Sequence, residues 1–154
     1  MPCSHYPLIC SGEYSECFNE FIVMHQYFDS MIESGVSLYV GAHTHSYERN
    51  YPYFKDHSFL TLEGPYDADS GYLISVVEGV AGNDKDILTV MEEQKEYTAK
   101  YTVNETGFAL IESNEHHVTY SHFSTKQGFM DEFEIRKRPT ASKPKRVKMN
   151  LAHE

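Results

Sequence analysis

The sequence predicts an α/β chain in which a strand–helix–strand unit runs into a mostly antiparallel β meander. Three observations predict it. Phe21, Met24, Phe28 and Met31 recur at i, i+3, i+7 and i+10, with Ile22 and Ile32 beside them, the pattern of a helix with one buried stripe. Val36 to Val40 is a short apolar run of the kind that forms a buried strand. Beyond residue 50 the helical period disappears and strand-like runs take over. The 12 Tyr and nine Phe, with no Trp, favour the same β-rich outcome.

Taken in order, residues 1–6 read as the end of a strand, and Pro7 to Phe18 as a loop rich in Cys, Ser, Gly and Tyr. Asn19 is placed to cap the helix and Gly35 to stop it. A helix of about fifteen residues returns the chain along the sheet, so the strands before and after it run parallel. Their C-terminal ends then share one sheet edge, where open α/β sheets place their chemistry. Tyr72–Val77, Tyr97–Val103, Phe108–Glu112, His117–Phe123 and Met130–Ile135 are the expected later strands, punctuated by Asn104, Gly107, Asn114 and Gly128. Residues 1–135 form the predicted folded unit. Residues 136–154, with Pro139, Pro144 and scattered Lys and Arg, hold too little apolar material to fold alone and read as a disordered basic tail.

A chain of 154 residues, 40% hydrophobic, suffices for one core of useful size. No run of roughly 18 apolar residues spans a bilayer, and the first residues lack the basic and apolar regions of a secretory signal. The net charge of −10 is uneven: residues 1–135 hold six Lys/Arg against 22 acids, and residues 136–154 seven against one. An acidic body repels nucleic acid and anionic membranes. A nucleic-acid contact through the tail alone would be steeply salt-dependent, and a solvated tail is the plainer reading. Cys3, Cys10 and Cys17 are an odd set, so at least one stays free or pairs elsewhere. Asn104-Glu105-Thr106 is a glycosylation sequon at an expected turn.

The chemistry concentrates at Ser4-His5-Tyr6-Pro7 and at Gly41-Ala42-His43-Thr44-His45. On an extended backbone, His43 and His45 would turn both rings to one face with their Cα atoms roughly 6–7 Å apart. The strand–helix–strand argument brings His5 to the same edge, so three imidazoles converge as candidate metal ligands. His25, His57, His116, His117, His122 and His153 show no such convergence and read as surface or satisfied interior side chains.

Gly41-Ala42-His43-Thr44-His45-Ser46-Tyr47-Glu48-Arg49 is similar to the Gly-His-x-His-x-Tyr-Glu-Arg segment of the purple acid phosphatases, a metallophosphoesterase family. Ser4-His5-Tyr6-Pro7-Leu8-Ile9-Cys10-Ser11 resembles the histidine motif that precedes it there, and Gly79-Val80-Ala81-Gly82-Asn83 the family's Gly-x-Ala-Gly-Asn turn. The resemblance covers about residues 1–135. It implies an αββα sandwich, of which this chain is the C-terminal half, and a two-metal acid phosphatase acting on phosphate monoesters. Carried over by motif, His5 and His43 would hold a divalent ion (Zn, Mn or Fe) and His45 a ferric ion. Tyr14 stands near where a substrate-contacting His is expected. The family's usual secreted, vacuolar or lysosomal setting would allow a Cys10–Cys17 disulfide; free thiols are the alternative.

The family's earlier motifs, an Asp, a bridging Asp with a Tyr three residues later, and an Asn before a His, have no counterpart in the right order. Asp69-Ser70-Gly71 and Gly82-Asn83-Asp84 follow the histidine pair instead of preceding it. Three neutral histidines do not bridge two metals, so no catalytic residue is assignable. The expectation is a fragment with an incomplete site, holding at most a weakly bound divalent ion. Half a sandwich is also expected to self-associate through an exposed sheet face. The competing expectation is a non-catalytic β-rich interaction module that retains its histidines by descent.

Overall fold

The computed structural model describes residues 1–11, 27–82, 95–102 and 105–137. Tyr14, Cys17, Asn104 and nearly all of the basic tail, residues 138–154, lie outside the described residues. Helix occupies residues 27–33 within the expected stretch, with Phe28 buried and Met31 and Ile32 packed on the same cluster. Its end follows the sequence: the Val36 N–H donates to the Met31 carbonyl at 2.9 Å and the Gly35 N–H to the Ile32 carbonyl at 3.0 Å. Gly35 takes the left-handed φ of +74° that this double closure requires.

Among the described residues nine strands follow: β1 (Leu38–Gly41), β2 (Tyr47–Asn50), β3 (Tyr53–Phe54), β4 (Tyr66–Asp67), β5 (Tyr72–Glu78), β6 (Thr98–Thr102), β7 (Gly107–Ser113), β8 (His117–Ser124) and β9 (Gly128–Arg136). They form two sheets. The first has the order β1-β5-β2-β6, with β3 also on β5; the second has the order β4-β9-β8-β7. β1 and β5 run parallel, Leu38 opposite Ile74 and Gly41 opposite Val77. β2 is antiparallel to both β5 and β6. Residues 2–4 lie parallel to β1 on its open side, tied by Val40 N–H to Pro2 O at 3.2 Å and Ser4 N–H to Val40 O at 3.1 Å.

β5 is buried on both faces, which is why Tyr72–Val77 reads as an apolar run broken only by the buried Ser75. Tyr72, Ile74 and Val76 turn toward the second sheet, where Tyr66, Tyr120, Phe133 and Ile135 complete one core. Leu73 turns the other way, to Leu8, Ile9, Phe28, Tyr39, Tyr53 and Phe59. Each fully buried side chain of this size contributes about 1.5–3 kcal/mol.

The α/β class and the five later strands agree with the sequence, with three refinements. Residues 1–6 make a single bridge, Cys3 to Val40, and no continuous strand. The expected meander is divided: β5 and β6 belong to the first sheet, while β7, β8 and β9 alone form consecutive antiparallel partners. The spacing of turn residues reports where strands begin and end but not which sheet they join. β2 was not foreseen, because Tyr-Glu-Arg-Asn has no apolar alternation to announce it.

Candidate functional site

The parallel strand tips bring the first histidine motif onto the second. Ala42 N–H donates to the His5 carbonyl at 3.2 Å, continuing the ladder past Val40. The two imidazoles meet directly, His43 Nδ1 to His5 Nε2 at 3.0 Å, with ring centroids 4.9 Å apart. The Tyr6 ring stands 4.9 Å from His5 and 5.0 Å from His43, so one aromatic wall flanks the pair. His5 and Tyr6 are exposed to solvent.

Two glycines permit this approach. A Cβ on Gly41 would lie 2.6 Å from Pro7 Cα, and one on Gly79 only 1.8 Å from the Thr44 carbonyl oxygen. Gly41 lets the turn after His5 lie against β1, and Gly79 lets the histidine loop lie against the end of β5. Gly79 N–H also donates to Ser46 O at 3.1 Å.

The loop itself departs from the extended backbone expected between His43 and His45. Residues 43–46 bend, with Thr44 N–H donating to Ala42 O at 2.7 Å and Ser46 N–H to Thr44 O at 2.8 Å. These are successive γ-turns, and His43, central in the first, has φ +64°. A left-handed φ costs a non-glycine residue about 1–2 kcal/mol, and such strain concentrates at functional positions. The one-face argument for His43 and His45 therefore does not apply to this backbone. The nearness of His5 and His43 comes from strand topology instead.

Behind the loop, β2 divides its four buried residues between two faces. Tyr47 and Arg49 turn to the second sheet. Asp131 receives Arg49 Nε at 2.7 Å, Arg49 Nη2 at 3.0 Å and the Tyr47 hydroxyl at 2.6 Å. Arg49 Nη1 also bonds the Tyr66 hydroxyl, and its guanidinium lies 5.2 Å from the Phe133 ring centroid. Burial disfavours the Arg49 charge, but the Asp131 bonds outweigh it and hold the guanidinium above its ordinary pKa. Glu48 and Asn50 turn to the loop after His5. Glu48 accepts the Ser11 N–H at 2.8 Å, the Ser11 hydroxyl at 2.6 Å and the Thr98 hydroxyl at 3.1 Å, while Asn50 Nδ2 donates to Ile9 O at 3.2 Å. Burial pushes the Glu48 carboxyl up to about 7 against the hydrogen bonds that favour its charge. β2 thus fastens both the second sheet and the loop that carries His5.

A second polar cluster joins the sheets beside the histidine loop. Glu78, at the end of β5, accepts the Tyr120 hydroxyl at 2.6 Å and faces His122 Nδ1 at 3.0 Å. The His122 ring stacks on Tyr47 at 3.9 Å between centroids. Of the two readings open to it, surface or interior, His122 takes the buried one; Glu78 and Asp131 carry no sequence signal beyond their place in alternating strands.

His5 and His43 come together at the edge of the first sheet. Cys10 is disulfide-bonded and Cys3 is free and exposed. Among the described residues, no group of three His, Cys, Asp or Glu side chains is arranged to hold a metal. Two imidazole nitrogens 3.0 Å apart suit neighbouring positions on one ion bound at about 2.0–2.1 Å per nitrogen. The described donors do not fit a dinuclear centre with a ferric ion, which calls for anionic ligands.

Residues 72–132 match the family described as iron/zinc purple acid phosphatase-like protein C. In fold, the chain is similar to the purple acid phosphatase PPD1 isolated from yellow lupin (Lupinus luteus) seeds, with a TM-score of 0.70 and 17% sequence identity. That alignment covers 98% of this chain and 28% of the lupin chain. No curated protein matches the sequence.

Proposed function

From its resemblance to the C-terminal portion of the purple acid phosphatases, we propose that this chain carries the imidazole side of a metal-dependent acid phosphatase centre acting on phosphate monoesters. The observation that carries the reading is the 3.0 Å approach of His5 to His43 at adjoining strand tips. His5 and His43 are the proposed ligands of one divalent ion (Zn, Mn or Fe); the resemblance offers His45 for a ferric ion, which would need anionic ligands that the described donors do not supply. A divalent ion held there would supply activation of a water and charge neutralisation at a phosphoryl group. The chain's own residues position: Gly41 and Gly79 allow the loops to close, and the Tyr6 ring flanks the imidazole pair. With no anionic ligand among the described residues, the chain by itself is proposed to hold a divalent ion weakly and to turn over phosphate monoesters poorly. A secreted or vacuolar setting, a Cys10–Cys17 disulfide, glycosylation at Asn104, a substrate contact at Tyr14 and an unstructured tail accompany this reading; Arg136 belongs to β9 and Lys137 N–H donates to His116 O, so that tail would begin after Lys137 and not at 136 as the sequence suggests.

The lack of a third donor among the described residues favours a second reading, a β-rich interaction module with relict histidines. Metal titration separates the two. Binding of up to one zinc or manganese per chain, lost in His43→Ala with the fold intact, supports the ligand assignment. No binding at millimolar metal favours the module. Brisk hydrolysis of a chromogenic phosphomonoester, abolished by His43→Ala, would overturn the expected weak activity.

A further inference from the structure

We infer that the basic segment 138–154 lies extended across the outer face of the second sheet, held there by charge and by an exposed aromatic patch. The outer face is the one turned away from the first sheet. On β7, Ala109 packs on the shared core, so Phe108, Leu110 and Glu112 turn outward. The register with β8 and β9 sets three outward rows across the sheet: Phe108–Phe123–Phe129, Leu110–Ser121–Glu132 and Glu112–Thr119–Glu134. In the first row the rings touch, Phe108 and Phe123 at 5.3 Å and Phe123 and Phe129 at 5.9 Å between centroids. This patch is open to water: Phe108 is 57% exposed, Phe129 58% and the neighbouring Leu110 47%. Contiguous apolar surface of this kind marks a contact site. The other two rows carry Glu112, Glu132 and Glu134. Arg136, next along β9, engages Glu134 at 2.5 Å and leaves the face net negative.

The segment complements this face in order as well as in charge. Lys137 N–H donates to His116 O at 2.9 Å, so the segment departs from the acidic end of the sheet. It then carries Arg138, Lys143, Lys145, Arg146 and Lys148, while Val147, Met149 and Leu151 alternate with Lys148 and Asn150. From Arg136 back to Phe129 the sheet measures about 24 Å, at about 3.4 Å per residue. Extended chain from Lys137 to Val147 reaches about 33 Å. A path along the strands therefore sets the first cations over Glu134, Glu132 and Glu112, and brings Val147, Met149 and Leu151 to the phenylalanines. The segment holds too little apolar material to fold alone, and the face supplies what it lacks. A second copy would bring its own excess of acid to this face, whereas the segment brings the opposite charge and is tethered beside it.

This inference is independent of the metal site, and it covers the exposed sheet face from within its own chain. Zero-length carbodiimide cross-linking of the full chain, read by peptide mass spectrometry on the monomer fraction, tests it. Links from Lys143, Lys145 and Lys148 should concentrate on Glu112, Glu132 and Glu134, and should fall several-fold in about 0.5 M salt. The surface ion pairs Lys55–Glu33 and Lys100–Glu63 serve as internal standards. Glu132→Lys, at an exposed position, should weaken the links to Glu112 and Glu134 several-fold with an unchanged circular dichroism spectrum. Glu96→Lys makes the same change of charge at an exposed site just before β6 and should leave those links as in the parent. Recovery of the standards without links to the three glutamates overturns the inference. So does an even spread over the exposed carboxylates, a concentration on Asp84, Asp86, Glu92 or Glu93, or an equal loss in the two variants.

Discussion

Glu48 is fully buried, and its charge is supported by Ser11 and Thr98 without a cationic partner among its described contacts. Its folded pKa of about 7 lies above the ordinary 4.5, so folding takes up a proton between those values. The stabilisation is therefore complete below about pH 4.5 and is lost as pH rises through about 7. A displacement of that size corresponds to about 3 kcal/mol. Urea midpoints should fall between pH 5 and pH 8 in the parent, and Glu48→Gln should flatten that decline. An identical slope in both proteins would remove Glu48 from the account. At this scale the sequence was half legible. The approach of His5 to His43 follows from two parallel strand tips. The tasks of Glu48 and Arg49 do not, because a motif names the letters without saying that alternate residues face opposite sides of a buried strand.

Among the elements, the helix end and β2 were read with opposite success for physical reasons. The helix stop is local chemistry: Gly35 at +74° completes two hydrogen bonds within six residues of chain. β2 is stabilised by partners far away in sequence, Ser11, Thr98 and Asp131, so no local window reveals it. Glycine substitutions separate local strain from steric conflict. A Cβ at Gly35 would meet nothing within 4 Å, so Gly35→Ala should cost only the left-handed backbone penalty, about 1 kcal/mol. At Gly79 the added carbon would sit 1.8 Å from Thr44 O, so Gly79→Ala must displace the histidine loop. Chemical denaturation should rank Gly79→Ala well below Gly35→Ala, and divalent metal binding should suffer only in the former. Equal losses would mean that β5 does not buttress the loop as its geometry indicates.

For the whole molecule, the sequence announced the later strands but not their division into two sheets, because sheet membership is set by long-range polar pairs inside an apolar core. Arg49 and Asp131 join β2 to β9, while Glu78 joins β5 to Tyr120 and His122 on β8. Both connections lie beside an aromatic core shared by the two sheets, so the sheets should lose structure together. Removing one charge of a buried, hydrogen-bonded pair costs about 3–5 kcal/mol, because the partner is left uncompensated. In Asp131→Asn, Arg49 stays charged and buried, and Tyr47 keeps an acceptor of lower strength. The loss should fall first on attachment of the second sheet, since β5 retains Leu73 and Ile74 in two separate packing clusters or sheet contacts. Amide exchange should therefore quicken across β8 and β9 before β1 and β5, whereas the parent should open both sheets at one free energy. Uniform acceleration across both sheets in Asp131→Asn would show that the pair stabilises the molecule without governing how its sheets are joined.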